Sequence, residues 1–314
     1  MNADALPTRV RISCRNCKTK LDASDLEPFS QIPCPVCGTM LRIPRRFDRY
    51  LLEKICGIGG MSKIYRAIDP QLERRVAIKI LNPSETSTED SARLFFNEAK
   101  LVAGLDHPGI LPIYRCGTAE GSPFLVMRFL PGGDLERLLK RKALPPYRTL
   151  MGLLAQIVDA LNYMLREAKL VHHDLKPSNI LLDGEGGAQL GDFDLADVRE
   201  FGDVETPCEE WGSPGYISPE RLYSGGEDSR GDIFSFGVTI YELASGVTPF
   251  GIEGKEEELY ERRRAMNFAP LSELNPQVSP ELSGLVRRML AFDAAERPGY
   301  PEILRVLRGE AGLA

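Results

Sequence analysis

The chain has 314 residues, 43% hydrophobic and 27% charged, with a formal net charge of -6. Its length suits two or three domains around a sizeable core, and its acidic balance excludes a general nucleic-acid or membrane-surface binder, which would carry a basic field. No run of about 18 apolar residues is available to cross a membrane, and "MNADALPTRVRISC" lacks the basic and apolar blocks of a signal peptide, so a cytoplasmic protein without a membrane partner is expected.

Four of the seven cysteines come first, as "CRNC" and "CPVCG", giving C-x2-C-x16-C-x2-C through Cys14, Cys17, Cys34 and Cys37. A short Cys-x2-Cys spacing sets two thiolates on one tight turn, and two such turns close a tetrahedron around Zn2+. The segment resembles a zinc ribbon, with Gly38 giving the second knuckle its backbone freedom. Structural zinc is the expected occupant. The same thiolates also suit an iron site of rubredoxin type, whereas two disulfides do not fit a reducing compartment. A closed four-thiolate site leaves no position for chemistry, so the module is expected to bind an unknown partner or position its neighbour. Its residues 1–48 hold eight Lys/Arg against five Asp/Glu, which reads as a solvated face, and nucleic acid is not an expected partner.

The composition breaks at "PRRFDR", near residues 44–49, where periodic apolar segments begin. "YLLEKICGIGGMSKIYRAID" and "RRVAIKILN" read as strands around Gly-rich and polar turns. "STEDSARLFFNEAKLVAGL" reads as a helix capped by Ser87 or Thr88, with Phe95, Ala99 and Val102 at helical spacing. Two further strand-like runs end in "FLVMRFLPGG", and beyond Gly133 the pattern turns helical, with Leu150, Leu154, Ile157, Leu161 and Leu165 on one face. Strands first and helices later predict an α+β, two-lobed arrangement.

An ordered series of motifs runs along this part: "GIGGMSKI", "VAIK", "LDHPGIL", "FLVMRFLPGG", "VHHDLKPSNILL", "DFD", "GSPGYISPE" and "ERP". From residue 50 to about 308 the chain resembles the eukaryotic-like protein kinases, in particular the Ser/Thr kinases widespread in bacteria. The resemblance implies a bilobal kinase fold, with a zinc-ribbon-like module at 1–48, an N-lobe and hinge at 49–133 and a C-lobe at 134–314. It also implies Mg-ATP as phosphoryl donor, two Mg2+ ions, and protein Ser/Thr hydroxyls as acceptors.

Carried over residue by residue, Gly57, Ile58 and Gly59 form the Gly-rich loop, with Ser62 where the family has a third glycine. Lys79 would hold the α- and β-phosphates, paired with Glu98. Ile64, Ala77 and Leu181 would sandwich the adenine, with Met127 as gatekeeper and Phe129 and Leu130 along its edge. Asp174 would accept or orient the acceptor proton, Lys176 would neutralise the transferring group, and Asn179 and Asp192 would hold Mg2+. Asp232, Glu220 and Arg297 match structural positions, a brace for the catalytic loop and a buried ion pair.

Two positions depart from the family. His173 replaces the Arg that reaches an activation-loop phosphate, so activity is expected not to depend strongly on phosphorylation of Thr206 or Ser213. Asp194 replaces the Gly that ends the usual DFG. Neither removes a group the reaction requires, and an active kinase is the main expectation. The alternatives are an ATP-binding pseudokinase scaffold and a zinc-ribbon interaction protein regulated by its kinase domain.

Overall fold

The computed structural model describes residues 10–59, 61–82, 89–193, 195–198, 213–224, 228–251 and 256–313. Two compact units are present, Met1–Ala99 with Pro112–Phe129, and Lys100–Leu111 with Leu130–Ala314.

The first unit begins with two small hairpins. β1 (Arg11–Ser13) pairs with β2 (Lys20–Asp22), and β3 (Gln31–Pro33) pairs with β4 (Met40–Arg42). A cysteine pair sits in each hairpin turn, and the two turns share a bonding pattern. The Cys14 N–H donates to the Thr19 carbonyl and the Cys34 N–H to that of Thr39, while Lys18 and Gly38 donate back to the Cys14 and Cys34 carbonyls. Both closing residues are left-handed, Gly38 at φ 73° and Lys18 at φ 60°. Glycine takes that conformation freely, whereas an L side chain there costs about 1–2 kcal/mol.

Six antiparallel strands follow in the order β5-β6-β7-β8-β10-β9. They are β5 (Arg45–Phe47), β6 (Tyr50–Ile58), β7 (Ser62–Asp69), β8 (Arg74–Leu81), β9 (Ile113–Ala119) and β10 (Ser122–Arg128). The boundary expected after residue 48 falls on the turn of the β5–β6 hairpin, where Phe47 faces Tyr50. The sheet core is built from Phe47, Tyr50, Leu52, Tyr65, Val76, Ile78, Phe124 and Val126, and Phe29 from the cysteine module packs on it. Phe29 is left-handed at φ 66°, a conformation a bulky residue rarely adopts. Its ring stacks on Tyr65 at 6.2 Å between centroids and 16° between planes. Val10, Ala23 and Ile43 form a second small cluster with Leu51 of β6 against it.

α1 (Glu89–Ala103) carries the division between the units, with Phe95, Ala99 and Val102 buried as its spacing predicts. Ser87 and Thr88, the expected caps, lie outside the described residues.

The second unit holds α2 (Leu135–Lys140), α3 (Tyr147–Ala168), α4 (Pro219–Ser224), α5 (Ser229–Ser245), α6 (Glu256–Ala265), α7 (Leu271–Leu274), α8 (Pro280–Met289) and α9 (Tyr300–Ala311). Five short strands accompany them: β11 (Gly133–Asp134), β12 (Leu170–Val171), β13 (Ile180–Leu182), β14 (Ala188–Leu190) and β15 (Asp197–Val198), paired as β11-β13-β14 and β12-β15. α3 buries Leu150, Leu154, Ile157 and Leu161, but its last turn buries Met164, with Leu165 half-buried. A Cβ on Gly132 would lie 2.6 Å from the Leu182 carbonyl oxygen, so the backbone there admits no side chain. No helix among the described residues is long and apolar enough to cross a membrane.

Candidate active site and metal centre

The strand register sets part of the predicted nucleotide bed, Gly57, Ile64, Ala77, Lys79 and Met127, on neighbouring strands of the first unit. Gly57 faces Ile64, Ile64 faces Lys79, and Ala77 faces Met127 across β6, β7, β8 and β10. The Gly-rich turn is closed by the Gly59 N–H donating to the Ser62 carbonyl at 2.9 Å. Ser62 therefore serves the turn through its backbone, which its side chain does not prevent. Ile58 is 73% exposed at the tip of β6, and Lys79 is buried with its ammonium 5.9 Å from the centroid of Phe95. Phe129 ends the first unit's second segment and Leu130 begins that of the second unit. Glu98 is carried by α1, and its side chain lies outside the described residues.

In the second unit the loop 172–179 is fastened from below by one carboxylate. Asp232, buried in the first turn of α5, accepts the His172 N–H at Oδ2 and the His173 N–H at Oδ1, each at 2.8 Å. This double anchor holds His173 at φ 66°. The His173 carbonyl in turn accepts from Arg221 of α4 at 2.7 Å.

The His172 ring is wholly buried beside Phe193. Its Nδ1 accepts from the Asp174 N–H at 3.3 Å, which leaves Nε2–H to donate to the Gly191 carbonyl at 3.3 Å. Burial pushes its pKa below the usual imidazole value, in keeping with a neutral ring that needs one bare nitrogen. His107 likewise accepts at Nδ1, from the Gly109 N–H. Both histidines are thus packing and bonding groups rather than metal ligands.

On this frame Asp174, Lys176, Asn179 and Ser213 meet. Lys176 Nζ donates to Asp174 Oδ2 at 2.6 Å and to Ser213 Oγ at 2.8 Å. Ser213 Oγ donates to Asp174 Oδ1 at 3.4 Å. Asn179 Nδ2 donates to the Asp174 carbonyl at 2.8 Å and to Oδ2 at 3.1 Å. The Gly191 N–H donates to the Asn179 carbonyl at 3.0 Å, which ties the segment leading into Asp192 to the loop. Asp192 itself is left-handed at φ 63°. Leu181 follows on β13, paired with Gln189.

The donor set suits Mg2+. Asn179 turns its amide nitrogen to Asp174 and its oxygen accepts only a 3.4 Å bond from Ser178 Oγ among the described residues, leaving a lone pair for a cation, and Asp192 adds a carboxylate; hard oxygen ligands are what this ion takes. Farther off, Arg297 reaches both Glu220 oxygens at 2.6 and 2.8 Å with its own side chain fully buried, the expected ion pair. Thr206 and Asp194 lie outside the described residues. Two contacts escaped the sequence: Arg221 to His173, and Arg263 of α6 to the Pro214 carbonyl at 2.5 Å. Both arginines occur in polar helical runs, and no local pattern marks them.

The four cysteine sulfurs lie within 4.8 Å of one another. Cys14 and Cys37 approach to 3.6 Å, as do Cys17 and Cys34. A tetrahedron with Zn–S bonds of about 2.3 Å has sulfurs roughly 3.8 Å apart, so the cluster fits that ion. Hydrogen bonding with Thr39 pushes the Cys37 thiol down to about 6, while burial and the neighbouring Cys17 and Cys37 sulfurs push the Cys34 thiol up to about 11.

The protein kinase domain family matches residues 50–306, and the chain belongs to it. The serine/threonine-protein kinase PknL of Mycobacterium tuberculosis is 34% identical over 251 residues, covering 80% of this chain and 62% of that protein. The serine/threonine-protein kinase PrkC of Bacillus subtilis is 30% identical over 258 residues, covering 82% and 40%. A probable serine/threonine-protein kinase of Streptomyces coelicolor, SCO3848, is 34% identical over 274 residues, covering 84% and 40%. The chain thus matches less than two thirds of the length of these relatives.

Proposed function

We propose that the chain is a Ser/Thr protein kinase that transfers the γ-phosphoryl group of Mg-ATP to protein hydroxyls. The observation that carries this reading is the Asp174 carboxylate, held by Lys176, Asn179 and Ser213 on a loop anchored by Asp232. Asp174 accepts or orients the acceptor hydroxyl's proton, and Lys176 beside it offsets charge on the transferring group. Asn179 and Asp192 would hold Mg2+, which supplies charge neutralisation between the phosphates. Lys79 steadies the donor's phosphates, and the apolar side chains Ile64, Ala77, Met127, Phe129, Leu130 and Leu181 contact its base. Transfer of labelled γ-phosphate to a mixed Ser/Thr peptide pool is expected from the wild type, and Asp174→Asn is expected to lower it by roughly 10²–10⁴-fold. Mg-ATP binding without transfer by the folded wild type would favour the scaffold reading.

For the cysteine module we propose structural Zn2+ and a brace role toward the nucleotide-binding sheet. Phe29 stacks on Tyr65, and Glu53 of β6 accepts from Arg66 at 2.7 Å and from Arg15 of the first knuckle at 3.3 Å. Such a stack contributes about 0.5–1.5 kcal/mol beyond its buried area. Arg15, one of the module's eight cations, is thereby paired with the chain's own sheet, which supports an intramolecular role.

A further inference from the structure

α6 is the most charged helix of the second unit, EEELYERRRA, and its three adjacent arginines read as a solvated face. Arg264 fits that reading, with an exposed side chain 3.7 Å from Glu261, and Arg262 is also exposed, 3.7 Å from Glu258, while donating to the Phe250 carbonyl at 3.3 Å. Arg263 does not, because it is 0% exposed. Its guanidinium lies 6.0 Å from the ring centroid of Phe234 and 5.9 Å from that of Phe250. Only Nη2 finds a hydrogen-bond acceptor, the Pro214 carbonyl; Nε and Nη1 have none among the described residues. Burial pushes its pKa down to about 10. A buried cation with donors left unmet lowers stability, so packing alone gives no reason for an arginine here.

Its one acceptor is adjacent to the reaction groups. Pro214 follows Ser213, whose hydroxyl meets Lys176 and Asp174. The next turn is pinned as well: the Tyr216 N–H donates to the Ser213 carbonyl, Ser235 Oγ of α5 donates to the Tyr216 carbonyl, and the Tyr216 hydroxyl donates to Glu242. Of these fixings, Arg263 is the one made by a buried charge, at the carbonyl of the residue that follows Ser213.

We infer that Arg263 is a positioning residue for phosphoryl transfer: by holding the Pro214 carbonyl, it sets where the Ser213 hydroxyl meets Asp174 and Lys176, and so aligns the site of the acceptor hydroxyl. The inference rests on the kinase reading above, and its test separates the two. Arg263→Met keeps an unbranched apolar stem between Phe234 and Phe250 and removes the donor to Pro214. In that variant kcat/KM for a Ser/Thr peptide is expected to fall roughly 10- to 100-fold. Affinity for a fluorescent ATP analogue is expected to stay at the wild-type value, and the thermal midpoint to hold or rise. Amide hydrogen exchange of residues 213–216 is expected to quicken, and Arg263→Lys, which keeps a cation and a donor, to recover part of the loss. Wild-type kcat/KM and exchange in the Met variant would overturn the inference. So would a loss that follows a falling thermal midpoint and is not recovered by Lys. If the wild type itself transfers no phosphate, the kinase reading fails, and the exchange rate at 213–216 still decides whether Arg263 holds this segment.

Discussion

The cysteine knuckles and the loop 172–179 both draw polar groups to a point, by opposite means. Each knuckle repeats one turn, with the same backbone bonds at Cys14 and Cys34, and brings like groups that repel as thiolates until a cation joins them. The loop brings unlike groups, a carboxylate, an ammonium and an amide, to the Ser213 hydroxyl, and these bond to one another at 2.6–3.4 Å. Its frame is supplied from 60 residues away by Asp232. The proposed metal site is thus written locally, with its stability borrowed from the ion, while the proposed transfer site needs distant structure to hold it.

Removal of zinc is the largest perturbation that would break this contrast. Chelation withdraws roughly 10–16 kcal/mol of apparent binding energy. Hydrogen exchange is expected to show residues 10–43 losing protection while the second unit keeps its own; protection unchanged after verified metal loss would refute a metal-dependent module.

Asp232→Ala probes the other frame. It strands the His172 and His173 N–H groups in the interior, where an unmet donor costs about 1–3 kcal/mol, so urea denaturation is expected to show a loss of about 3 kcal/mol or more that no added metal restores. A variant of wild-type stability would mean that the loop holds itself.

Lys18→Gly sharpens the comparison between the knuckles themselves. Relief of the left-handed lysine is expected to stabilise the module by about 1 kcal/mol, read as tighter zinc retention against a competing chelator, whereas Gly38→Lys is expected to weaken it by a similar amount. Equal retention in all three chains would show that the ion, and not the turn, dominates.

The knuckles were legible because spacing alone places their ligands, and α1 and α3 because their apolar residues recur with the helical period. The proposed catalytic groups were legible only through resemblance, since nothing in the run from His172 to Asn179 states that Asp232 anchors it. Phe29 and Arg263 could not be found either way. Each looks ordinary among its neighbours and gains its role from a partner distant in sequence, Tyr65 for one and Pro214 for the other. β5 was hidden because "PRRFDR" reads as a break in composition, while its pairing depends on the edge that β6 offers.

That strand has a consequence for how molecules of this protein avoid one another. The outer margin of a sheet is a template on which a neighbour's strand can add, and short margins bearing charge resist such growth. β5 is three residues long and opens with Arg45 and Arg46, a guarded margin, whereas the strand it covers runs nine residues from Tyr50 to Ile58. Loss of the segment before residue 50, after a protease cut there, would uncover β6 and empty the place of Phe47 in the core at once, turning a guarded margin into one that invites aggregation.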